Sequence, residues 1–427
     1  MTVSRKILTI GYYADFSRFF KRIADETKKI NHNIEFLHVD LFLSGYLYSV
    51  FNGQKSVYLP CQKSKAVQTT DVRDDDFYRQ FIVYHQRLLP SLNEGELIAQ
   101  AKKYYHYFNE LLSDYQPDLI IVSGDSRMPA EIVHHLALEK DIKIACFEQA
   151  PLGRTILDLK GVNANSSFRY LDPQIIEASV SDDYHLPPQA KWKKYKFFRV
   201  VDLVVEKFLP FLVPVEQRRP VRHKINNKQY ADLLETKSLV AESHPAAKKL
   251  LLVLQVPDDV NMIYHSPWFS SHYQIVKQVT ENLPENTLLV VREHPLFRQL
   301  YEPEMYKYIS ENDKVFFDNS GSLDQAISQS DLVVVNNSTV GLESIEKGKK
   351  VVVLGNSYYD ASSLCYKYQG DNLNSLITDA LNGPAPDEVY RKKYLSYLFN
   401  HVFIRGHFRD LDGPAPGEIA KWIIKNV

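Results

Sequence analysis

The sequence predicts an α/β protein of two domains, each built around a parallel sheet. Two observations predict the class: short, wholly aliphatic segments such as Leu250 to Leu254 and Leu332 to Val335 recur along the chain, and stretches of helical period separate them. A third predicts the number. At 427 residues the chain exceeds one ordinary domain, and a stretch of different composition divides it near the middle.

The first half opens with a strand over Lys6 to Ile10, an amphipathic helix over Phe16 to Lys28 and a strand over Ile34 to Val39. After a tyrosine-rich stretch, a helix near Glu94 to Leu112 leads into the strand Leu119 to Val122. Pro129 to Leu138 as helix and Ile142 to Phe147 as strand complete the series. The second half alternates in the same way. Its strands are Leu250 to Leu254, Leu288 to Val291, Val315 to Phe317, Leu332 to Val335 and Val351 to Leu354, with a helix around Ser271 to Asn282. The tail, Glu388 to Phe403 and Glu418 to Ile424, reads as helical and is expected to cross between the halves. The expected division is 1–185, a first Rossmann-like domain; 186–248, a connector; 249–385, a second Rossmann-like domain; and 386–427, crossing helices. Two parallel sheets facing a central cleft bind ligands at their strand carboxyl ends. The sequence holds no internal repeat and no low-complexity block.

The connector differs from both halves. Between Lys191 and Lys224 stand Lys191, Lys193, Lys194, Lys196, Arg199, Lys207, Arg218, Arg219, Arg222 and Lys224 against Asp202, Glu206 and Glu216. Trp192, Tyr195, Phe197, Phe198, Val201, Val204, Val205, Phe208, Leu209, Phe211 and Leu212 are interleaved on roughly helical spacing. Such a segment suits an anionic bilayer surface, where each Lys or Arg is worth about 1 kcal/mol. The alternative is a helix that packs its apolar face on the protein.

Over the whole chain 51 basic side chains balance 52 acidic ones, so no chain-wide field points to nucleic acid. Cys61, Cys146 and Cys365 lie far apart without a partnering motif, which argues against a zinc site or a disulfide framework. Ile7 to Ile10 is too short for a signal peptide, and no uncharged apolar run of about 18 residues occurs. The expectation is a cytoplasmic protein, peripheral on a membrane surface. The sequence lacks a P-loop, GxGxxG, GxSxG or HExxH pattern, which takes most of the weight from the nucleotide-hydrolase and Rossmann-dehydrogenase readings. Asp74 and Asp76 form a DxD pattern but stand in a polar loop, and no metal is expected.

Four segments fall at predicted strand ends, where a cleft forms. They are Phe147-Glu148-Gln149-Ala150, running on through Arg154 and Asp158 to Gly161-Val162-Asn163-Ala164-Asn165-Ser166; Gln255-Val256-Pro257-Asp258-Asp259; Arg292-Glu293-His294-Pro295; and Asn336 to Glu343. In the last, Ser338 or Thr339 at a helix start would leave hydroxyls and unpaired N–H groups for a phosphate, although a plain helix cap is the commoner use. His294 adds an imidazole able to donate to a phosphate oxygen or protonate a leaving phosphate.

Glu148 with GVNANS at 161–166, QxxxD at Gln255 to Asp259, His294-Pro295 and NSTVGLE at 337–343 together resemble the capsule polysaccharide synthesis proteins of the KpsS/LipB type, β-Kdo transferases that use CMP-Kdo. The resemblance covers about residues 115–170 and 245–365. It implies a GT-B-like fold with CMP in the C-terminal half. His294, Ser338 and Thr339 would hold the phosphate, Glu343 would accept from ribose or base, and Gln255, Arg292, Pro295 and Asn337 would complete the donor site. The family retains the donor configuration, which implies two successive inversions. Asp259 matches the proposed nucleophile and Glu148 the acid that takes the acceptor proton. Such chemistry needs one carboxylate to trap the oxocarbenium-like centre and another to act as base.

The donor's own carboxylate needs a cation or N–H partner, for which Arg154 and Arg292 are candidates. Asp258 rivals Asp259, and Asp158 either joins the site or fixes its loop by backbone hydrogen bonds. Asn163 completes the candidates. Where the family carries Gly-Tyr and then Arg-Pro after the glutamate, this chain has Gln149, Ala150, Pro151 and Gly153-Arg154, which leaves the acceptor open between a phosphatidylglycerol-like lipid and a glycan. Another CMP-nonulosonic acid as donor, a UDP-dependent GT-B enzyme and a non-catalytic partner of other capsule assembly proteins are the alternatives.

Overall fold

The computed structural model describes residues 4–63, 73–179, 196–210, 213–234, 246–410 and 412–427. They divide into two compact units, one within Met1–Ser167, His185–Pro220 and Val402–Val427, the other within Phe168–Tyr184 and Val221–His401.

The first unit is a six-stranded sheet of β1 (Arg5–Gly11), β2 (Ile34–Asp40), β3 (Ser56–Tyr58), β4 (Leu119–Ser123), β5 (Lys143–Ala150) and β6 (Arg154–Asp158), in the order β3-β2-β1-β4-β5-β6. All neighbours are parallel except β5 and β6. Ile7 pairs with Phe36 on one side and Leu119 on the other, so the aliphatic run of β1 is buried on both faces. The helix Ala14–Ile30 buries Phe19, Phe20, Ile23, Ala24 and Thr27, positions that share one face at 3.6 residues per turn. Against it packs the C-terminal helix Ala415–Asn426 through Ala415, Ile419 and Ile423.

The second unit repeats the plan with β7 (Lys248–Val253), β8 (Thr287–Arg292), β9 (Val315–Phe317), β10 (Leu332–Val335), β11 (Val351–Val353) and β12 (Tyr366–Lys367). Its order is β12-β11-β10-β7-β8-β9, parallel throughout. Read from β9, this is the strand order of the first unit. The short strands β3 and β12 were not legible as aliphatic runs.

Two expectations change. The segment Glu148 to Ala150 does not follow β5 but continues it, because Arg154–Asp158 folds back and pairs Glu148 with Ile156 and Gln149 with Thr155. The reversal passes through Leu152 and Gly153 with φ of 54° and 71°, the second a position that glycine fills without strain. The expected 186–248 connector is not a separate body: its described residues up to Pro220 belong to the first unit and those from Val221 to the second. Of the expected crossing helices, Glu388–Tyr397 lies in the second unit and Ala415–Asn426 in the first.

The helix Lys196–Phe208 has two unlike faces. One face packs: Phe198 meets Tyr48 edge-on at 5.5 Å, and buried Asp202 accepts from the Ser44 amide at 3.0 Å and its hydroxyl at 2.5 Å. The other face stays open, with Phe197 at 76%, Leu203 at 57% and Phe208 at 65% exposure beside exposed Val200 and Val204. Lys191, Trp192, Lys193, Lys194, Tyr195, Phe211 and Leu212 lie outside the described residues. Among those described, no helix is long and apolar enough to cross a membrane.

Candidate functional site

The second sheet reverses its order between β7 and β10, and such a reversal opens a crevice beyond the strand ends. The turn after β7 carries Gln255, Asp258 and Asp259; the turn after β10 carries Asn336, Asn337, Ser338 and Thr339. Asn337 ties the two together, its Nδ2 donating to the Asn261 and His265 carbonyls at 2.9 Å each. Gly355 sits so close that a Cβ there would lie 2.5 Å from the His265 carbonyl oxygen and 2.7 Å from Asn336 Oδ1.

Within this frame Gln255 is buried and its carbonyl accepts from the Tyr301 hydroxyl at 3.1 Å. Its side-chain Nε2 and Oε1 have no hydrogen-bond partner among the described residues, nor has Asn337 Oδ1. Each such buried group costs about 1–3 kcal/mol, a penalty that a polar ligand removes. The carboxylates beside it are structurally engaged. Asp259 caps the short helix Val260–Ile263, accepting from the Asn261 amide at 3.0 Å, while Asp258 pairs with Arg222 at 2.5 Å.

The β10 turn differs from the expected helix start. Its helix, Val340–Glu346, is seven residues long, and Thr339 is exposed, already helical and makes no cap bond. Ser338 supplies the capping oxygen instead, accepting from the Val340 amide at 3.3 Å. Gly341 is required here because any Cβ would overlap the Tyr359 ring, whose hydroxyl donates to the Ser338 carbonyl. Two turns of helix develop little dipole, so the polar side chains carry more of any phosphate binding than the helix end does. Glu343, half-buried on the same helix, has its carboxyl pushed up to about 7, first by burial and then by the charge of Asp324.

After β8 the expected residues separate in role. Arg292 is spent on the chain itself: its guanidinium donates to the carbonyls of Asp318 at 3.3 Å, Ser320 at 2.8 Å and Gly321 at 2.8 Å. That corrects its candidacy as the donor-carboxylate partner, since a guanidinium forked onto three carbonyls shapes the loop after β9. Pro295 is exposed. His294 Nδ1 accepts from the Leu296 amide at 3.3 Å, which leaves the proton on Nε2, and burial lowers its pKa. At neutral pH it is a neutral donor rather than an imidazolium. Between them Glu293, not singled out in the sequence, is a hub. It accepts from Tyr306 at 2.6 Å, Asn319 at 2.8 Å and the Gln299 amide at 3.0 Å, and from the Tyr230 hydroxyl. A cavity of about 680 Å³ near Asn226, Asp232, Tyr306 and Lys307 contains none of the predicted residues.

In the first unit Glu148 lies within β5, half-buried, with Oε1 accepting from the Gln149 amide at 2.8 Å. Arg154 is buried in β6. Asp158 fixes the following loop, accepting from the amides of Lys160 at 2.8 Å, Gly161 at 3.1 Å and Ser167 at 3.2 Å. Asp125, which the sequence did not single out, holds the same loop from the turn after β4 through the Val162 amide at 2.8 Å and Asn165 Nδ2 at 3.0 Å. Asn163 adopts φ of 53° and its carbonyl accepts from the Ser166 hydroxyl at 2.8 Å. The GVNANS segment is thus a braced loop at the sheet's carboxyl edge. Asp74, of the DxD pattern, caps the helix Asp75–Arg79, and among the described residues no group of three His, Cys, Asp or Glu could hold a metal ion.

Comparison with known proteins bears on this arrangement. A family model described as "Capsule polysaccharide biosynthesis protein" matches residues 118–409. The chain is 23% identical to the capsule polysaccharide export protein KpsS of Escherichia coli over 76% of this chain and 85% of that protein. It is 33% identical to protein FixF of Sinorhizobium fredii over 36% of this chain, a match that spans only 38% of FixF. Among solved structures, KpsC of Thermosulfurimonas dismutans, titled a β-Kdo 2,7 transferase, aligns with TM-score 0.38 and 14% identity over 81% of this chain and 95% of its own. The calicheamicin glycosyltransferase CalG4 aligns with TM-score 0.34 and 13% identity over 100% and 98%. The fold class rests on the strand order: two Rossmann-like units in one chain, a GT-B-like fold.

Proposed function

The chain belongs to the capsule polysaccharide biosynthesis protein family, and from that premise we propose that it is a retaining glycosyltransferase that moves Kdo from CMP-Kdo to a lipid acceptor in surface polysaccharide synthesis, without a metal. The observation that carries the reading is the buried, unpartnered amide of Gln255 beside Asn337 Oδ1 at the reversal of the second sheet. A nucleotide seated there satisfies three polar atoms that the folded protein leaves unpaired. The motif resemblance supplies the choice of CMP and Kdo.

In the proposed reaction an Asp259 oxygen attacks the anomeric carbon as the bond to the CMP phosphate breaks, the leaving oxygen keeping the electron pair. His294 Nε2–H donates to the phosphate as charge grows on it. Glu148 then takes the proton of the acceptor hydroxyl, whose oxygen attacks the same carbon and releases the Asp259 carboxylate. Asp259 is preferred to Asp258 because the latter is committed to Arg222. A lipid acceptor is preferred to a glycan because the open face of Lys196–Phe208 presents Phe197, Leu203 and Phe208 to solvent.

The test is mass spectrometry of product formed from CMP-Kdo with phosphatidylglycerol vesicles or with a Kdo-terminated glycan, in chelator. Kdo added to the lipid is the expected result. Transfer from CMP-sialic acid but not CMP-Kdo overturns the donor, and transfer to the glycan alone overturns the acceptor.

A further inference from the structure

The first sheet has its own order reversal, between β1 and β4, and none of the motif residues occupies it. The turn after β1 is Tyr12-Tyr13; the turn after β4 ends at Arg127, ahead of the helix Met128–Glu139. The Arg127 guanidinium lies 5.1 Å from the centre of the Tyr12 ring and 5.3 Å from that of Tyr84. It is half-buried, and among the described residues it makes no ion pair and no hydrogen bond. Tyr12 is buried against it, and His85, behind the same turn, accepts from the Met128 amide at 3.3 Å. Burial and the Arg127 charge depress the His85 pKa to about 3, so this histidine adds no positive charge. A second cation stands on the next tyrosine: Arg219 lies 5.9 Å from the centre of the Tyr13 ring and donates to its hydroxyl. Tyr12 and Tyr13 hold their ring centres 6.4 Å apart.

A partly desolvated guanidinium stacked on π faces with no carboxylate in direct contact is an incomplete site, because ring quadrupoles offset only part of the lost hydration. Its position at a sheet reversal is where open α/β sheets bind ligands. Glu148, on β5 next to β4, is close enough for its charge to act on both Tyr12 and Arg127.

We propose that Arg127, seated between Tyr12 and Tyr84 with Arg219 alongside, binds a phosphate group of the acceptor and thereby sets the acceptor hydroxyl toward Glu148. Phosphate fits better than a carboxylate because two guanidiniums with planar donor forks stand at this edge and neither has a protein acid as its hydrogen-bonded partner. The proposal rests on the reading of Glu148 as the acceptor-side base. The phosphate is either that of a lipid headgroup or that of a soluble phosphate ester.

Binding is measured without turnover, so that its outcome is independent of the donor. Full-length protein, R127Q, R127K and, as a control for general charge, R218Q are titrated with sn-glycerol 3-phosphate by calorimetry and with vesicles of phosphatidylglycerol in phosphatidylcholine by sedimentation. Arg218 pairs with Glu96 at 3.3 Å. The expected result is at least a tenfold loss of affinity in R127Q, a smaller loss in R127K and none in R218Q. Loss in both assays assigns the site to phosphate esters generally; loss with vesicles alone assigns it to the headgroup. Equal binding by R127Q and R218Q, or no binding of either probe by the unaltered protein, overturns the proposal. If R127Q fails to fold, R127K decides: it keeps the charge but loses the fork, and undiminished binding overturns the bidentate seat. Phosphate binding without any transfer from CMP-Kdo would leave this site standing while removing the donor reading.

Discussion

The two sheets share one strand order and differ in what stands at their reversals. In the first unit the edge between β1 and β4 carries a cation between aromatic rings, with Glu148 near it. In the second, the edge between β7 and β10 carries neutral amides, Gln255 and Asn337, and a capping aspartate. The fold therefore sets where each half would bind, and the turn residues set what the proposed sites would suit: an anionic group in the first, a polar, hydrogen-bonding group in the second.

The sharpest break in that comparison is at Asp259, which is both helix cap and proposed nucleophile. Asparagine caps a helix as well as aspartate does but cannot trap the anomeric carbon. Asp259→Asn is expected to lower kcat by about 10³-fold or more while moving the unfolding free energy by less than about 0.5 kcal/mol. Measured turnover with CMP-Kdo within about tenfold of the unaltered protein would remove Asp259 from the chemistry.

Asp158 is expected to behave in the opposite way. With three backbone amides on its carboxylate, Asp158→Ala should cost about 2–3 kcal/mol in denaturant unfolding, because those donors lose their partner inside a braced loop. CMP affinity, proposed for the other unit, should not change. A fall in CMP affinity equal to the fall in stability would show that the two reversals do not act separately.

Gln255→Leu tests the second reversal with mixed sign. Leucine of similar volume removes two buried polar atoms that the free protein leaves unpaired, so the unfolding free energy should rise by about 1 kcal/mol. CMP affinity should fall about tenfold, measured by calorimetry. A variant that loses stability instead would mean that the amide is satisfied in the free protein by ordered water.

How much of this was legible follows from what each feature depends on. The buried parallel strands were legible because aliphatic runs such as Leu332–Val335 have few other uses. The shared strand order was not, since β3 and β12 have only three and two residues and no apolar signature. The segments QxxxD, HP and NST were located correctly as strand-end turns. Their private roles were hidden: Arg292 was assigned a ligand when it serves three carbonyls, and Glu293 beside it was passed over because nothing in a sequence links it to Tyr230, Tyr306 and Asn319. Arg127 escaped for the same reason, as its neighbours Tyr12 and Tyr84 come from distant parts of the chain.

The smallest predicted effect separates the two units by proton uptake. Each holds a carboxyl pushed up to about 7 mainly by burial: Glu216 in the first, hydrogen-bonded by Tyr104 at 2.6 Å, and Glu343 in the second. Because both folded pKa values lie above the ordinary 4.5, the folded protein holds protons that the unfolded chain releases between pH 4.5 and 7. Their stabilising contribution is complete below about 4.5 and is lost as pH rises through about 7. Glu216→Gln and Glu343→Gln should each flatten part of that slope in denaturant titrations from pH 5 to 8. Only Glu343→Gln should also change the ligand. In the unaltered protein CMP affinity should rise about threefold to fivefold as the Glu343 carboxylate ionises and becomes a better acceptor for a ribose hydroxyl, a gain of about 1 kcal/mol. In Glu343→Gln that rise should vanish, while Glu216→Gln keeps it. A pH-dependent CMP affinity that survives Glu343→Gln would place the titrating group elsewhere and would take Glu343 out of the nucleotide site.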